Sequence, residues 1–303
     1  MESQQQQRPS VSGKSRVLRI PGDKTQKLNI STWNVRSLFE AGKLANTIQE
    51  MQRLKIDILG VSETWWPNSG ECQSDEFIFY YSGNNTTQHR HGVGVIIPKR
   101  LKQYVNDFVP FSDRVALLKL NAKPVNLNII QVYAPTADKD DEEVEAFYEE
   151  INTILKLTKP HDVNIILGDF NAKIGQGRVT NLVGDFGLGA RNDRGDRLLQ
   201  FCQENGMKIT NTWYKLPARR LYTWRSPQDS PTNIVRNQID YILINRRFGN
   251  SIYNVTTYPG ADVPTDHNLL SAKMRLKLTS MKKPPRTPRV NVDGLKEADS
   301  CLH

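Results

Sequence analysis

Ten short apolar runs dominate residues 28–278, and their number most limits what this chain can fold into. They are 28–35 (LNISTWNV), 57–63, 76–82, 92–98, 115–121, 127–134, 163–170, 207–213, 238–244 and 268–278. Runs of this kind, rich in β-branched and aromatic residues and bounded by turn formers, read as strands. Three other stretches have helical spacing. Leu44, Ile48, Met51 and Leu54 share one face of 44–55; Val144, Phe147, Tyr148, Ile151, Ile154 and Leu155 share one face of 141–158. A third helix is expected at about 194–205, carrying Leu198, Leu199 and Phe201. Ten or more strands with three or four helices are too many strands for a simple doubly wound sheet. Two packed mixed sheets with helices on the outside accommodate them.

Composition enters as a set of exclusions. With 38% hydrophobic and 24% charged residues, a wholly disordered or fibrous chain is excluded. No apolar run approaches the roughly 18–20 residues of a membrane helix. MESQQQQRPS lacks the apolar centre of a signal peptide. Cys72, Cys202 and Cys301 are few, odd in number and far apart, which points to a reducing, intracellular setting without a zinc site. The sequons at Asn84, Asn85 and Asn254 then read as chance. GDFGLGARN is glycine-rich, but it does not stand between a strand and a helix as a dinucleotide-binding turn does, and no Walker A pattern occurs.

Charge divides the chain into a neutral folded segment and two basic tails. The chain carries a net +9. Residues 1–27 hold six basic and two acidic side chains, and residues 273–303 hold eight and three. Residues 28–272 hold 27 of each, so the whole surplus lies in the ends. Residues 1–27 and 279–303 lack a periodic apolar face and are expected to be tails. Pro284, Pro285 and Pro288 preclude a helix in the second. KKPPRTPR suits nuclear import or phosphate contact, and equally a solvated linker. Within the core, residues 138–150 hold eight acids and one lysine, so that helix should turn a solvated acidic face away from any polyanion. Residues 191–247 hold eleven basic and five acidic residues. Arg219, Arg220, Arg225, Arg246 and Arg247 therefore become candidates for a phosphate-tracking rim.

Several strands end in a polar residue that packing alone would not choose. Asn34, Glu63, Tyr133, Asp169 and Asn171 stand at or just past such ends, Asp240 lies inside QIDYILI, and Asp266 and His267 close PTDH. A carboxylate inside an apolar strand is costly to bury without a partner, and a histidine is a natural one. Hard carboxylate and amide oxygens without cysteine suit Mg²⁺ or Mn²⁺. Each of these residues alone has an ordinary reading as a turn former or solvated edge. Together they would make a metal site beside an acid/base pair.

The motifs TWNVRSL, GVSET, QVYAPT, GDFNA, NQIDYIL and TDH, in this order, resemble the endonuclease/exonuclease/phosphatase superfamily over residues 28–278. They look most like the apurinic-like endonuclease domain of RTE-type non-LTR retrotransposons. That resemblance implies a DNase I-like four-layer α/β sandwich with its site at one end of two facing sheets. It further implies Glu63 as principal metal ligand, with Asn34 beside it and Asp266 as an acid at or behind the metal. Asp169 would orient or deprotonate the attacking water, Asn171 and Tyr133 would contact the scissile phosphate, and Asp240 would hold His267 as an imidazolium. Trp224 matches an aromatic wall of the family's site, although a core aromatic is the equal alternative.

Tyr133 stands where DNase I-like and inositol phosphatase branches carry histidine. Arg36 and Asn237 depart from the acid and the tryptophan of true apurinic endonucleases, which places abasic-site specificity in doubt. No Tyr-x-Asp-Asp pattern occurs, so the chain resembles an endonuclease segment of a longer retrotransposon reading frame. The leading expectation is a Mg²⁺-dependent endonuclease that nicks DNA in the nucleus and leaves a 3′ hydroxyl. The rivals are a phosphoesterase of the same fold acting on RNA or phosphorylated lipid or inositol, and a transposon-derived DNA- or protein-binding module without catalysis.

Overall fold

The computed structural model describes residues 16–17, 27–85, 90–275 and 277–278. The expected tails therefore lie almost wholly outside the described residues, as do Cys301 and KKPPRTPR. Two short strands, β1 (Arg16–Val17) and β17 (Lys277–Leu278), flank the main body in sequence. One large sheet has seven strands. These are β2 (Leu28–Asn34), β3 (Ile58–Ser62), β4 (Ser69–Ser74), β5 (Phe77–Ser82), β6 (Val93–Pro98), β15 (Ile252–Tyr258) and β16 (Leu269–Met274), in the order β15-β16-β2-β3-β6-β5-β4. The other has six: β7 (Val105–Pro110), β8 (Val115–Leu120), β9 (Leu127–Tyr133), β10 (Val163–Asp169), β11 (Met207–Ile209) and β14 (Asp240–Asn245). Their order is β11-β14-β10-β9-β8-β7. The pairs β2–β3 and β9–β10 are parallel and the rest antiparallel, so both sheets are mixed. A small ribbon joins β12 (Trp224–Arg225) to β13 (Arg236–Asn237).

The helices cover the outer faces. On α1 (Lys43–Arg53), Ile48 and Met51 join the cluster of Trp33, Leu59, Val61 and Ile96. The second, α2 (Asp141–Lys156), starts at Asp140, whose side chain accepts from Glu143 N at 2.9 Å, with three acids in its first turn to oppose the helix dipole. With α3 (Asp193–Glu204) it buries Phe147, Tyr148, Ile151, Leu198 and Phe201 against Ile130, Val132, Ile166 and Tyr241. The acidic face of α2 is less free than its sequence suggests. Asp141 pairs with Arg194 at 2.8 Å and Glu145 with Arg197, both from α3. These contacts also remove two arginines from the basic surplus of residues 191–247. The layers run helix, sheet, sheet, helix, a four-layer α/β sandwich.

The period of two in each strand settles which residues meet between the sheets. Trp33, Leu59, Val61, Ile130, Val132, Ile166, Tyr241 and Leu243 point outward to the helices. Thr32, Ser62 and Gln131 point inward, where Gln131 Nε2 donates to Ser62 Oγ at 2.8 Å and Ser62 Oγ donates to the Val132 carbonyl at 3.1 Å. The sheets come so close here that a Cβ on Gly60 would sit 1.8 Å from Gln131 Oε1.

All ten predicted strand runs contain a strand, and the exceptions are informative. The run 207–213 stops pairing after Ile209 and turns into a 3₁₀ helix at Thr210–Trp213. There the Asn211 side chain takes over the strand's role at the sheet edge, donating to the Asp240 carbonyl at 2.8 Å and accepting from Ile242 N at 3.1 Å. The run 268–278 is two strands, not one. The long strands that the apolar pattern missed, β4, β7 and β15, are all at sheet edges. An edge strand buries little, so its sequence need not alternate or be apolar.

Candidate active site

Register brings the polar strand ends together. Asp169 ends β10 opposite Tyr133 on β9 and opposite Asp240 on β14. In the facing sheet, Asn34 ends β2 opposite Ser62, and Glu63 follows directly. Inward parity then places Asn34, Tyr133, Asp169 and Asp240 at one end of the interface between the sheets. Glu63 and Asn171 turn back toward it through left-handed backbone, φ 55° and 46°, a conformation uncommon outside glycine. His267 arrives from the turn before β16, its carbonyl accepting from Trp33 Nε1 at 3.0 Å.

The hydrogen bonds form one connected set. Asn34 Nδ2 donates to Glu63 Oε1 at 2.8 Å and to Asp169 Oδ2 at 3.0 Å, while its Oδ1 accepts from Arg36 N at 3.1 Å. The amide nitrogen, not the oxygen, faces the carboxylates. Asp169 Oδ1 also accepts from Asn171 N at 3.0 Å. His267 Nδ1 lies 2.9 Å from Asp240 Oδ2, and Nε2 lies 3.8 Å from Asp169 Oδ2. Asp266 Oδ2 accepts from Trp224 Nε1 at 3.0 Å. Behind Tyr133, Arg114 donates to its carbonyl at 3.3 Å and stacks 5.5 Å from its ring.

Electrostatics follows from this burial. Asp169 is 2% exposed. Desolvation raises its pKa to about 7, helped by Asp240 and opposed by His267 and the Asn171 and Asn34 donors. For His267, burial pushes the pKa down, but the charges of Asp240, Asp169 and Asp266 prevail and hold it at about 9. The imidazole is thus a cation at neutral pH, with N–H groups on both nitrogens. Burial raises the Tyr133 phenol, and the negative charges of Glu63 and Asp169 add to this, so it remains protonated.

Asp169, Asn171, Glu63, Tyr133, Asp266, His267 and Trp224 all line one cavity of about 510 Å³. Asn34 and Asp240 lie behind it, fully buried, as supports. Lys173, Asn192 and Arg36 also line the cavity. None of these three was among the expected site residues, Arg36 having stood out only as a departure from the apurinic-endonuclease pattern. The signal for Lys173 was present, since it stands two residues past the GDFN ending. Asn192 carried no local signal: it caps α3 and accepts from Lys173 N at 2.9 Å, a contact made only in the fold.

Among the expected rim arginines, Arg225 follows Trp224 and lines an adjoining cavity. Arg219 and Arg220 sit in a short 3₁₀ turn, where Arg220 donates to the Thr257 carbonyl at 2.6 Å. Arg246 and Arg247 follow the last residue of β14, about 17 Å along the strand from Asp240 at roughly 3.4 Å per residue. The structure does not bring these two to the cavity.

Among the described residues, one cluster of acid and histidine ligand atoms is compact enough to hold a cation. Ligand atoms of Asp169, Asp240 and His267 lie within 4.8 Å of one another. In this trio His267 Nδ1 is already engaged by Asp240 Oδ2 at 2.9 Å. Glu63, Asp169 and Asp266 instead offer only hard oxygens to the cavity, and Asp266 Oδ1 is buried with no hydrogen-bond partner. That donor set fits a small divalent cation rather than zinc.

Comparison with known proteins agrees with this fold. The endonuclease domain of TRAS1, a telomere-specific non-LTR retrotransposon, superposes with a TM-score of 0.59 over 82% of this chain and 99% of its own, at 14% identity. The AP endonuclease LMAP of Leishmania major gives 0.62 over 82% and 88%, also at 14%. The catalytic domain of Xenopus laevis APE2 gives 0.61 over 85% and 95%, at 17%. At these identities the likeness is one of fold. Craniofacial development protein 2 of Bos taurus is 44% identical over 261 residues, 86% of this chain, and that of Tragulus javanicus is 44% identical over 270. The chain spans 43% and 45% of the length of these two relatives. Residues 31–267 match the Endonuclease/Exonuclease/phosphatase family across both sheets and the whole of this site, and the chain belongs to that family.

Proposed function

We propose that the chain is a Mg²⁺-dependent phosphodiesterase that nicks DNA. The observation that carries the reading is the buried cationic His267, held by Asp240 at 2.9 Å and set beside Asp169 on the wall of an open cavity. A neutral hydrophobic pocket would have no use for that charge. A phosphodiester would, because its cleavage concentrates negative charge on the phosphate oxygens.

Within this reading the residues divide the work. Asp169, its pKa raised to about 7 by burial, accepts a hydrogen bond from the attacking water and takes its proton. His267 Nε2–H, Asn171 Nδ2–H and the Tyr133 hydroxyl are donors for the non-bridging oxygens. Water adds to phosphorus as its proton passes to Asp169, the bond to the 3′ oxygen breaks, and that oxygen takes a proton from solvent water, leaving a 3′ hydroxyl and a 5′ phosphate. Glu63 and Asp266 would hold the divalent cation, which would supply positive charge to the phosphate and to the departing oxygen. Asn34 sets the spacing between Glu63 and Asp169. Mn²⁺ has the same ligand preference and is expected to substitute.

DNA is favoured over lipid or inositol phosphates by Tyr133 in place of histidine and by the basic ends of the chain. The endonuclease domain of the TRAS1 retrotransposon shares this fold, which is compatible with endonuclease action. A nucleus is the setting where such a substrate is met, and KKPPRTPR is compatible with import.

The test is nicking of supercoiled plasmid, in Mg²⁺ and in chelator, by the wild type and by Asp169→Ala. Nicking in Mg²⁺ alone, abolished in the variant, is expected. Chelator-resistant nicking, or full activity in Asp169→Ala, would sink the mechanism. Binding without nicking under any metal would favour the non-catalytic module.

A further inference from the structure

Beside the first cavity lies a second, of about 660 Å³, whose lining includes Ser37, Lys43, Trp65, Arg225 and Asp229. The two cavities share two residues, Arg36 and Asp266. Arg36 Nη1 lies 3.5 Å from Asp266 Oδ2, and half of the arginine side chain is exposed (53%). Asp266 is anchored in turn by Trp224 from the first cavity. A guanidinium has five N–H donors in a fixed fork. Asp266 engages one edge of it and leaves the rest facing the junction of the cavities.

The backbone beneath Arg36 is fixed in an uncommon conformation. Arg36 and Ser37 have φ of 44° and 80°. For residues with a Cβ this conformation is strained and persists only where the surroundings hold it. Here Arg36 N donates to Asn34 Oδ1 at 3.1 Å, Ser37 N to the Glu63 carbonyl at 2.7 Å, and the buried Lys43 Nζ to the Arg36 carbonyl at 2.8 Å. Asn34 and Glu63 are thus in both systems: they build the carboxylate cluster and they set the direction in which Arg36 leaves the chain.

The second cavity has balanced charge. Arg36, Lys43 and Arg225 face Glu40, Asp229 and Asp266. Lys43 is committed to the Arg36 carbonyl, and Asp229 to a bidentate pair with Arg236. What remains is a half-buried indole, that of Trp65, with Arg36 and Arg225 and the carboxylate of Glu40 around it. A bare anion would ask for more positive charge. A nucleotide asks for this combination: a π-face for the base and a cation for the phosphate.

We propose that the second cavity is a nucleotide subsite continuous with the phosphodiesterase site, and that Arg36 holds the phosphate lying between the two. The inference rests on the nuclease reading above. The strand passes from the first cavity over the Arg36–Asp266 pair, and the nucleotide next to the cleaved bond settles against Trp65.

Binding of a dye-labelled DNA duplex is measured by anisotropy in chelator at several salt concentrations, and nicking of the same duplex in Mg²⁺. Arg36→Gln should weaken binding about tenfold and reduce the slope of log affinity against log salt by about 0.9, the value for one phosphate contact. KM should rise about tenfold, with a smaller change in kcat. Arg36→Lys should restore the slope but not the full affinity. Trp65→Leu should weaken binding about tenfold with the slope unchanged, because stacking releases no counterion. Unchanged affinity and slope in Arg36→Gln overturn the proposal. So does a loss confined to kcat, which would make Arg36 only a support for Asp266. If the wild type binds but never nicks, the nuclease reading fails, and the slopes alone decide the subsite.

Discussion

Replacing Asp240 with asparagine isolates the charge of the cluster from its shape. Asp240 is 1% exposed, and its Oδ2 lies 2.9 Å from His267 Nδ1. Asparagine has the same outline and its carbonyl can still accept from Nδ1–H. Its backbone stays fixed, since Asp240 N donates to Thr223 Oγ1 at 3.0 Å and its carbonyl accepts from Asn211 at 2.8 Å. What disappears is the negative charge. A hydrogen bond to a charged group is worth about 1.5–3 kcal/mol against about 0.5–1.5 for a neutral one. Since the neutral bond remains, the difference of about 1–1.5 kcal/mol is lost from the transition state and kcat falls about 5- to 10-fold. Two further changes follow in sign. Burial now dominates His267, so its pKa falls from about 9 and the alkaline limb of the rate moves to lower pH. Asp169 loses a like-charged neighbour, so its pKa drops below about 7 and the acid limb also moves down. Single-turnover nicking from pH 5 to 10, with melting curves for both proteins, measures all of this. A kcat and pH profile identical to wild type, at equal melting temperature, would refute the Asp240–His267 pairing as a functional unit.

Asn34→Ala should remove both amide bonds between Glu63 and Asp169, costing about 1–3 kcal/mol in chemical denaturation and most of the nicking rate; an unchanged rate would refute its role as spacer. Gly168→Ala should be severely destabilising, about 3 kcal/mol or more, because its Cβ would lie 1.9 Å from the Val132 carbonyl oxygen at φ 151°; a soluble variant with wild-type melting would contradict the packing of β9 against β10. In chelator, folding stability should fall as pH rises. The folded-state pKa of His267 stands above its unfolded value, so its contribution is complete below about 6.5 and is lost as pH passes about 9. Asp169 acts in the same direction from about 4 to about 7, since its folded pKa is also raised. Stability rising between pH 6.5 and 9 in denaturant titrations would show that the cluster is not charged as described.

The strands that build the site were the most legible part of the chain. β3, β9, β10 and β14 are buried on both faces, so their sequences are near-continuous Ile, Val and Leu, and a polar residue among them stands out. That is why Glu63, Asp169 and Asp240 could be named before any coordinates. The edges β4, β7 and β15 are half exposed, and their sequences carry no comparable demand. Arg246 and Arg247 show the converse. They are near Asp240 in sequence, yet a strand is extended, and six residues of β14 carry them to the other end of the sheet.

The sequence by itself determined which residues would be inside and with what period, because transfer from water acts on each side chain where it stands. It therefore determined the strands, the helical faces and the polar residues that interrupt them. The tertiary structure decided which of those residues meet. Parallel pairing of β2 with β3 and of β9 with β10 puts four strand ends at one edge, and inward parity turns Asn34, Tyr133 and Asp169 toward the same gap. Only that closure raises the pKa of Asp169 to about 7 and that of His267 to about 9, and makes Arg36, a surface arginine two residues past a strand, the wall between two cavities. Those properties depend on distances of three to four ångströms between groups up to 234 residues apart, and no local sequence rule acts over that separation.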